Sequence, residues 1–278
     1  MFSSILKHPP LRLFDVTLRD GLQSIPKIYS LAEKMDLGLD IIAKRNPYAI
    51  EVGSIVSPKI VPQMKNSIDF FQSFSSTYGT YKPIDIYVLT PNYKSVQIAA
   101  KNDVCNFSFV TSVSNMFQKK NINLTISDTK SEINQMVDLV KTKQEDNKIK
   151  LYIYCFTECP IIGKINNHAV ISEIMYYYQT HDKHIDNFCL SDTCGTLRFQ
   201  DFKFIIDTLI RNGVELEQFG LQLHQQVSRD NVNNIIMYGM KNGISQYDVS
   251  CMPEIGGCSV TMENPSGNIG YETIYECL

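Results

Sequence analysis

The sequence predicts an α/β fold class, a (β/α)8 TIM barrel of eight parallel strands, and two observations lead to it. Short apolar runs bounded by turn residues alternate with helical patterns along the whole chain, which is typical of successive βα units. Eight such units in 278 residues match the ~250 residues of a typical barrel. A doubly wound open sheet is the main alternative, but the first strand continues into T-L-R-D-G-L-Q rather than a G-x-G-x-x-G turn.

The predicted strands are short apolar runs, as strands buried on both faces of a parallel sheet are. They cover Leu13–Leu18, Ala49–Gly53, Ile84–Thr90, Val104–Ser112, Lys150–Thr157, Asn187–Asp192, Gly220–Gln225 and Gln246–Cys251.

The intervening helices carry recognisable signals. Ser30 and Glu33 form a capping box in front of a helix over Leu31–Arg45. Gly213 and Gly243 each follow an asparagine at a helix end, where glycine readily takes the left-handed conformation. Two more helices have apolar residues at i, i+3, i+4 and i+7, namely Ile133, Met136, Val137 and Val140, and Phe202, Ile205, Ile206 and Leu209.

Composition narrows the classes of function that the chain can have. Hydrophobic residues make up 44% and charged residues 20% of the chain, which predicts a folded protein. The net charge of -3 gives no basic excess for nucleic-acid binding. No apolar run reaches the ~20 residues of a membrane helix, so we expect no membrane partner.

Domain organisation and location follow from the absence of linkers and signals. No composition shift divides the chain, which predicts one domain over 1–278, with 1–12 as a short N-terminal extension and 252–278 as a C-terminal segment. The first ten residues have too short an apolar stretch for a secretory signal, and the eight cysteines contain no C-x-x-C pair. We therefore expect reduced thiols and a cytoplasmic protein, with a mitochondrial presequence as the alternative.

Polar residues end several of the predicted strands. Arg19 and Asp20 end the first, Glu51 lies in the second, Asp192 ends the sixth and His224 lies near the end of the seventh. In a TIM barrel these carboxyl ends meet at one face, where the active site lies. Buried carboxylates are costly unless they are paired or bind a cation, so both a divalent metal site and a structural polar network with Arg19 fit this pattern.

Several motifs resemble those of the 3-hydroxy-3-methylglutaryl-CoA lyase family, whose enzymes are metal-dependent TIM barrels. They are V-T-L-R-D-G-L-Q, I-E-V-G-S-I-V-S-P-K-I-V-P-Q-M, F-Q-K-K-N-I-N, C-P-I-I-G-K-I, L-S-D-T-C-G, and I-G-G-C with S-G-N. The resemblance covers Leu13 to about Tyr275. It implies retro-Claisen cleavage of a 3-hydroxyacyl-CoA to acetyl-CoA and a keto acid, acetoacetate for the family substrate. It also implies an acyl-CoA substrate and a homodimer.

The resemblance assigns roles to individual positions. It implies a Mg²⁺ or Mn²⁺ site formed by Asp20, His224, Gln226 and Asn268. Arg19 would face the thioester oxygen, and Cys258 would be a catalytic thiol on a mobile flap within 252–278. His224 would also be linked to proton transfer, while Glu51 and Asp192 would position the site or move protons.

One motif departs from the family pattern. The family reads H-x-H-D after strand 7, whereas this chain has Gln226 at the second histidine position and Val227 at the aspartate. A glutamine oxygen can ligate a hard ion such as Mg²⁺, but it is a weaker donor than imidazole for transition metals. The loss of the aspartate is expected to reduce support for the ligands.

Three functional hypotheses therefore remain open. The first is an active lyase of the 3-hydroxy-3-methylglutaryl-CoA type, and the second is a related carbon–carbon lyase or aldolase with an altered substrate. The third is a degenerate homologue that binds without turnover, which Gln226 favours. The chain ends soon after S-G-N, so we expect less coverage of the CoA end than in the family, with local Lys and Arg residues attracting the anionic substrate.

Overall fold

The computed structural model describes residues 10–78, 84–226, 228–258 and 260–278. Over these ranges, eight parallel strands close into a barrel in chain order, with the last strand paired to the first. The predicted TIM-barrel fold class is confirmed. The barrel strands are β1 (Arg12–Asp15), β2 (Ala49–Ser54), β3 (Asp85–Leu89), β4 (Asn106–Ser112), β5 (Lys148–Tyr154), β6 (Asn187–Ser191), β7 (Phe219–Gln222) and β8 (Gln246–Val249).

Helices follow the strands and cover the outside of the barrel. In the described part of the chain they are α1 (Leu31–Arg45), α2 (Ser67–Tyr78), α3 (Tyr93–Lys101), α4 (Asn115–Ile122), α5 (Ile126–Lys143), α6 (Asn167–His181), α7 (Phe199–Arg211), α8 (Arg229–Lys241) and α9 (Tyr271–Tyr275). A small antiparallel pair, Glu158–Cys159 with Gly163–Lys164, lies between β5 and α6.

The helix signals in the sequence are confirmed. The Ser30 side chain accepts a hydrogen bond from the Glu33 backbone N–H and Glu33 bonds back to Ser30, so the capping box begins α1 as predicted. The apolar faces of α5 and α7 are buried at all eight predicted positions. Gly213 and Gly243 follow α7 and α8 with φ of 79° and 104°, the left-handed region expected at these helix ends.

Several predicted strands extend too far at their carboxyl ends. The first strand ends at Asp15 rather than Leu18, and the seventh ends at Gln222 rather than Gln225. The fifth runs over Lys148–Tyr154 rather than to Thr157, and the eighth ends at Val249. The apolar character continues past each strand because these residues still line a buried barrel mouth, although their backbone has left the sheet.

Alternate residues of β5 show how the barrel separates its two faces. Ile149, Leu151 and Ile153 belong to the hydrophobic core. Lys150 and Tyr152 face the barrel interior, where the Lys150 ammonium pairs with the buried carboxylate of Asp248 and the Tyr152 hydroxyl donates to Asp248 Oδ2 at 2.9 Å. A buried ion pair therefore lies inside the barrel, and the Tyr152 hydroxyl bonds to its carboxylate.

Three predictions concern properties beyond the fold. All eight cysteines lie in the described ranges and are free thiols, as expected. None of the helices in these ranges has the length and apolar character that crossing a membrane requires. One domain over 1–278 with a flap at 252–278 stays a prediction, and most of the 1–12 extension lies outside the described residues.

Candidate active site

A cavity of about 570 Å³ lies at the carboxyl ends of the strands, and four of the eight predicted site residues line it. Arg19, Asp20, His224 and Cys258 line it directly. Glu51 and Asn268 are fully buried and bond to Arg19 and Asp20, respectively. The structure therefore brings six of the eight predicted site residues together at this end of the barrel.

A π-helical turn, Thr17–Gly21, places Arg19 and Asp20 together. The backbone N–H groups of Asp20 and Gly21 both donate to the Val16 carbonyl, so the chain coils immediately after β1. Consecutive residues of a strand point to opposite faces, so a strand that continued through Arg19 and Asp20 would separate the two side chains. The turn brings both into the cavity, in keeping with the frequent occurrence of π-turns at functional sites.

Arg19 is 1% exposed and is held between two carboxylates. Its Nε donates to Glu51, and its Nη1 donates to Asp20 Oδ1 at 2.6 Å. Burial lowers the pKa of Arg19, but Glu51 and Asp20 raise it well above its ordinary value, so the guanidinium stays charged. Its Nη2 is buried and has no hydrogen-bond partner among the described residues. One donor of a fixed cation is therefore available to a ligand.

Asp20 receives donors from several sides. Its Oδ1 also accepts from Gln23 Nε2 at 3.0 Å, while its Oδ2 accepts from the Gly257 N–H at 2.7 Å and from Asn268 Nδ2 at 2.8 Å. Burial alone would raise the pKa of Asp20, but the Arg19 cation, His224 and the Gly257 N–H together outweigh burial and hold the pKa below its ordinary value. The group is a carboxylate throughout the physiological pH range.

Asn268 reaches Asp20 because the segment after the G-G-C loop returns along β7. His224 and Asn268 form an isolated antiparallel bridge, and the Gln225 N–H donates to the Gly267 carbonyl at 2.7 Å. His224 Nε2 then lies 3.9 Å from Asp20 Oδ2. Residues that follow β1 and β7 thus meet the C-terminal segment at one point.

The G-G-C loop lies directly over this point. Gly256 has φ of 133° and Gly257 has φ of 83°, a region that favours glycine. A Cβ on Gly256 would lie 2.0 Å from Asn268 Nδ2. The two glycines therefore permit the close approach, and Cys258 follows them into the cavity as a half-buried thiol. Burial raises its pKa, so the thiol is protonated at neutral pH.

Asp192 and Gln226 lie behind His224 and do not line the cavity. The Asp192 backbone carbonyl lies 2.8 Å from His224 Nδ1, and its side chain accepts from Gln226 Nε2 at 2.8 Å. Gln226 Oε1 accepts from Asn231 Nδ2 at 2.6 Å. Both polar atoms of the Gln226 amide are thus engaged outside the Asp20 cluster, and Val227 lies outside the described residues.

The donor set near Asp20 fits a divalent cation at three of the four predicted positions. No group of three or more His, Cys, Asp and Glu side chains suited to a metal is found in the described ranges. However, His224 Nε2 is buried without a partner there, and its Nδ1 is fixed by a carbonyl, as in metal-bound histidines. Reversing the Asn268 amide would turn its oxygen towards Asp20, an assignment that heavy-atom positions leave free. Asp20, His224 and Asn268 are therefore suited to hold the ion, while Gln226 as fourth ligand stays a prediction.

The cavity contains groups that the sequence did not single out. Gln222 Nε2 lies 3.4 Å from Asn268 Oδ1 and Gln222 Oε1 accepts from Ser191 Oγ at 2.6 Å. Tyr154, at the end of β5, forms part of the wall, and Lys94 and Lys120 line the cavity on α3 and α4. The strand ends predicted from the sequence fell three residues later, at Gln225 and Thr157, so the signal of a final strand position did not point to Gln222 or Tyr154.

The HMGL-like family model matches residues 10–274. The chain belongs to the HMGL-like family. It is 28% identical to human mitochondrial hydroxymethylglutaryl-CoA lyase over 265 residues, which cover 95% of this chain and 77% of the human protein. It is 27% identical over 264 residues to a Pseudomonas aeruginosa lyase named for 3-hydroxy-3-isohexenylglutaryl-CoA and hydroxymethylglutaryl-CoA, covering 95% of this chain and 83% of that one.

Solved structures of HMGL-like enzymes have the same fold. A 3-hydroxy-3-methylglutaryl-CoA lyase from Acinetobacter baumannii, solved with coenzyme A and 3-methylmalate, superposes with a TM-score of 0.82 at 25% identity. The match covers 96% of this chain and 82% of that structure. The resemblance stated from the motifs is thus confirmed at the level of the family.

Proposed function

We propose that this protein is a metal-dependent carbon–carbon lyase that cleaves 3-hydroxy-3-methylglutaryl-CoA to acetyl-CoA and acetoacetate. The observation that carries the proposal is the meeting of Arg19, Asp20, His224 and Cys258 in one cavity at the barrel mouth. Retro-Claisen cleavage needs a base for the hydroxyl proton, positive charge for the developing oxyanions and an acid for the released carbon. Each need has a candidate group in this set.

A divalent ion held by Asp20, His224 and Asn268 would polarise the substrate's hydroxyl and carbonyl oxygens. Besides the ion, the guanidinium of Arg19 supplies a fixed positive charge in the cavity. Its free Nη2 is proposed to donate to the thioester oxygen, on which negative charge accumulates as the enolate forms. Glu51 holds the guanidinium from the other side through Nε, so the donor is oriented before the substrate binds.

Two groups are proposed to move protons. The Asp20 carboxylate, with His224 beside it, takes the proton of the C3 hydroxyl, and the electrons of that O–H bond form the ketone as the C2–C3 bond breaks. The neutral thiol of Cys258 then gives its proton to the enolate carbon, which yields acetyl-CoA. Asp20 returns its proton to the thiolate, and the cycle closes. Asp192 is a positioning residue in this scheme because its carbonyl bonds to His224 Nδ1.

Two lysines line the route that we propose for the CoA portion of the substrate. Lys94 and Lys120 line the same cavity as Arg19, and their ammonium groups can meet phosphates despite the negative net charge of the chain. The Acinetobacter baumannii relative was solved with coenzyme A bound. We extend the proposal to an acyl-CoA ligand that enters between α3 and α4.

The test is direct measurement of acetyl-CoA release. Purified protein is incubated with 3-hydroxy-3-methylglutaryl-CoA and Mg²⁺ or Mn²⁺, and acetyl-CoA is detected by coupling to citrate synthase. We expect release that a chelator abolishes and that Arg19→Met reduces by at least about 100-fold. The absence of turnover with any short 3-hydroxyacyl-CoA would refute the proposal. A homodimer is proposed alongside, with sedimentation velocity as its test.

A homologue that binds without turnover is the second candidate function. The engagement of Gln226 by Asp192 and Asn231 favours it, because this leaves three donors at the predicted metal site. Calorimetric titration with Mn²⁺ separates the candidates. Tight binding that Asp20→Ala removes supports the lyase, whereas no binding at millimolar metal supports the second candidate.

A further inference from the structure

We propose that the ring of Tyr154 limits the size of the group that the substrate carries at C3, which makes Tyr154 a specificity-determining residue. The inference rests on the proposed lyase function and names a feature of its substrate class. It is carried by the position of the ring in the cavity and by the contacts that prevent the ring from moving aside.

Tyr154 stands one level above Tyr152 on the inner face of β5. Tyr152 and Tyr154 lie two and four residues after Lys150, so they are on the same face of the strand as Lys150, which faces the barrel interior. Tyr154 is the last residue of the strand. Tyr152 is fully buried with its ring 5.2 Å from the Arg19 guanidinium, whereas Tyr154 is half-buried and lines the cavity. Tyr154 therefore occupies the mouth-side position of this column.

The Tyr154 ring lies near the reacting end of the cavity, because it stacks on Tyr152, whose ring is 5.2 Å from the Arg19 guanidinium. Tyr154 lines the same cavity as Arg19 and Asp20. Burial raises the pKa of Tyr154, so the phenol stays neutral at physiological pH and presents an uncharged wall to this cavity.

Aromatic contacts fix the ring on two sides. It stacks on Tyr152 at a centroid distance of 5.7 Å and an interplanar angle of 9°, and it meets Phe117 of α4 at 5.9 Å. The Tyr152 hydroxyl is itself bonded to Asp248 and Glu51. A ring packed in this way cannot rotate out of the cavity without losing both contacts.

The backbone at Tyr154 is equally constrained. Its carbonyl accepts from the Val113 N–H at 3.1 Å, and the next residue, Cys155, has φ of 57°. The Cys155 N–H donates to Thr193 Oγ1 at 2.8 Å. A bulky substituent therefore cannot be accommodated by a small backbone shift, and the ring sets a firm limit.

The experiment compares two substrates in four proteins. The ratio of kcat/KM for 3-hydroxy-3-methylglutaryl-CoA to that for its 3-isohexyl homologue is measured in the native protein and in Tyr154→Ala, Tyr154→Phe and Ile98→Ala. Tyr154→Ala should move the ratio towards the isohexyl substrate by at least about 10-fold, since a few methylenes in a fitted pocket discriminate this strongly. Tyr154→Phe keeps the ring and should leave the ratio within about 2-fold.

Two controls guard against trivial explanations. Ile98 lies on α3 at the exposed side of the cavity, so Ile98→Ala enlarges the cavity elsewhere and should not shift the ratio. Tyr154→Leu retains an apolar contact for Phe117 and replaces Tyr154→Ala if the alanine variant does not fold. An unchanged ratio in the folded ring-deleted variant, or an equal shift in Tyr154→Phe, overturns the inference.

Binding without chemistry separates this inference from the proposed function. The 3-methyl and 3-isohexyl forms of glutaryl-CoA lack the C3 hydroxyl, so they cannot undergo retro-Claisen cleavage. Their dissociation constants, measured by calorimetry, should show the same shift of at least about 10-fold in Tyr154→Ala. A protein that shows the binding shift but never releases acetyl-CoA refutes the lyase function alone, and turnover with an unchanged ratio refutes the role of Tyr154 alone.

Discussion

Replacing Glu51 with glutamine tests the buried support of Arg19. Glu51 is 0% exposed, and its Oε2 accepts from Arg19 Nε and from the Tyr152 hydroxyl. Glu51→Gln preserves shape but removes the charge that holds the guanidinium on the side away from Asp20. We expect kcat to fall by about 100-fold with little change in KM, because an oriented Arg19 is needed chiefly in the transition state.

The same change should lower the free energy of unfolding. Breaking a buried ion pair by removing one partner costs about 3–5 kcal/mol, because the other charge stays desolvated. At ~2.1 cal/mol/K per residue, a 278-residue chain has an unfolding entropy of roughly 0.6 kcal/mol/K near its melting temperature. A loss of about 4 kcal/mol therefore lowers Tm by about 7 °C, which differential scanning calorimetry measures readily.

Asp248→Asn is the matched control. It breaks the Lys150–Asp248 pair, which is as buried as the Arg19–Glu51 pair but does not include a residue that lines the cavity. We expect a similar fall in Tm and a loss of kcat below about 10-fold. If the two variants lose kcat equally, Glu51 acts only through stability and the reasoning about Arg19 orientation is wrong.

Three further predictions concern single side chains. Cys258→Ser should lower kcat by about 100-fold with little effect on KM, because the hydroxyl is a weaker acid than the thiol, and steady-state kinetics measures both. Burial raises the pKa of Asp15 to about 6 from its ordinary 3.8, so the folded state binds this proton more tightly than the unfolded state does. The cost of ionising Asp15 therefore grows as pH rises from about 4 to about 6. The free energy of unfolding, measured with urea, should therefore fall by about 3 kcal/mol over that range in the native protein relative to the Asp15→Asn variant. A pH-independent difference would contradict it. Gln226→His should tighten Mn²⁺ binding by about 10- to 100-fold in calorimetry, and an unchanged affinity would show that position 226 does not reach the ion.

The barrel itself was predictable because its signals are local. Apolar periodicity, the Ser30 capping box and the glycines after α7 and α8 depend on neighbours within a few residues. The predicted strand ends were less accurate for a related reason. An apolar run continues wherever the chain is buried, and burial at the barrel mouth does not require the backbone to remain in the sheet.

The motifs indicated which residues the fold brings together in the candidate site, but only part of their geometry. The motifs indicated Arg19, Asp20, His224 and Asn268, but not that a π-helical turn would place the first two side by side. The different environments of the polar groups also emerged only from the fold, since Gln226 turned out to bond to Asp192 and Asn231 behind the cavity.

The sequence by itself determined the fold class, the family and the residue types available for chemistry, because these are written in periodicity and in short motifs. Tertiary structure alone decided which groups touch. Asn268 meets Asp20 across 248 positions of chain, and the bridge between His224 and Asn268 brings that contact about. Tyr154 became a wall of the cavity through its stacking on Tyr152 and its tilted contact with Phe117. Such contacts depend on closure of the whole barrel, and no local pattern in the sequence encodes the distances between its strand ends.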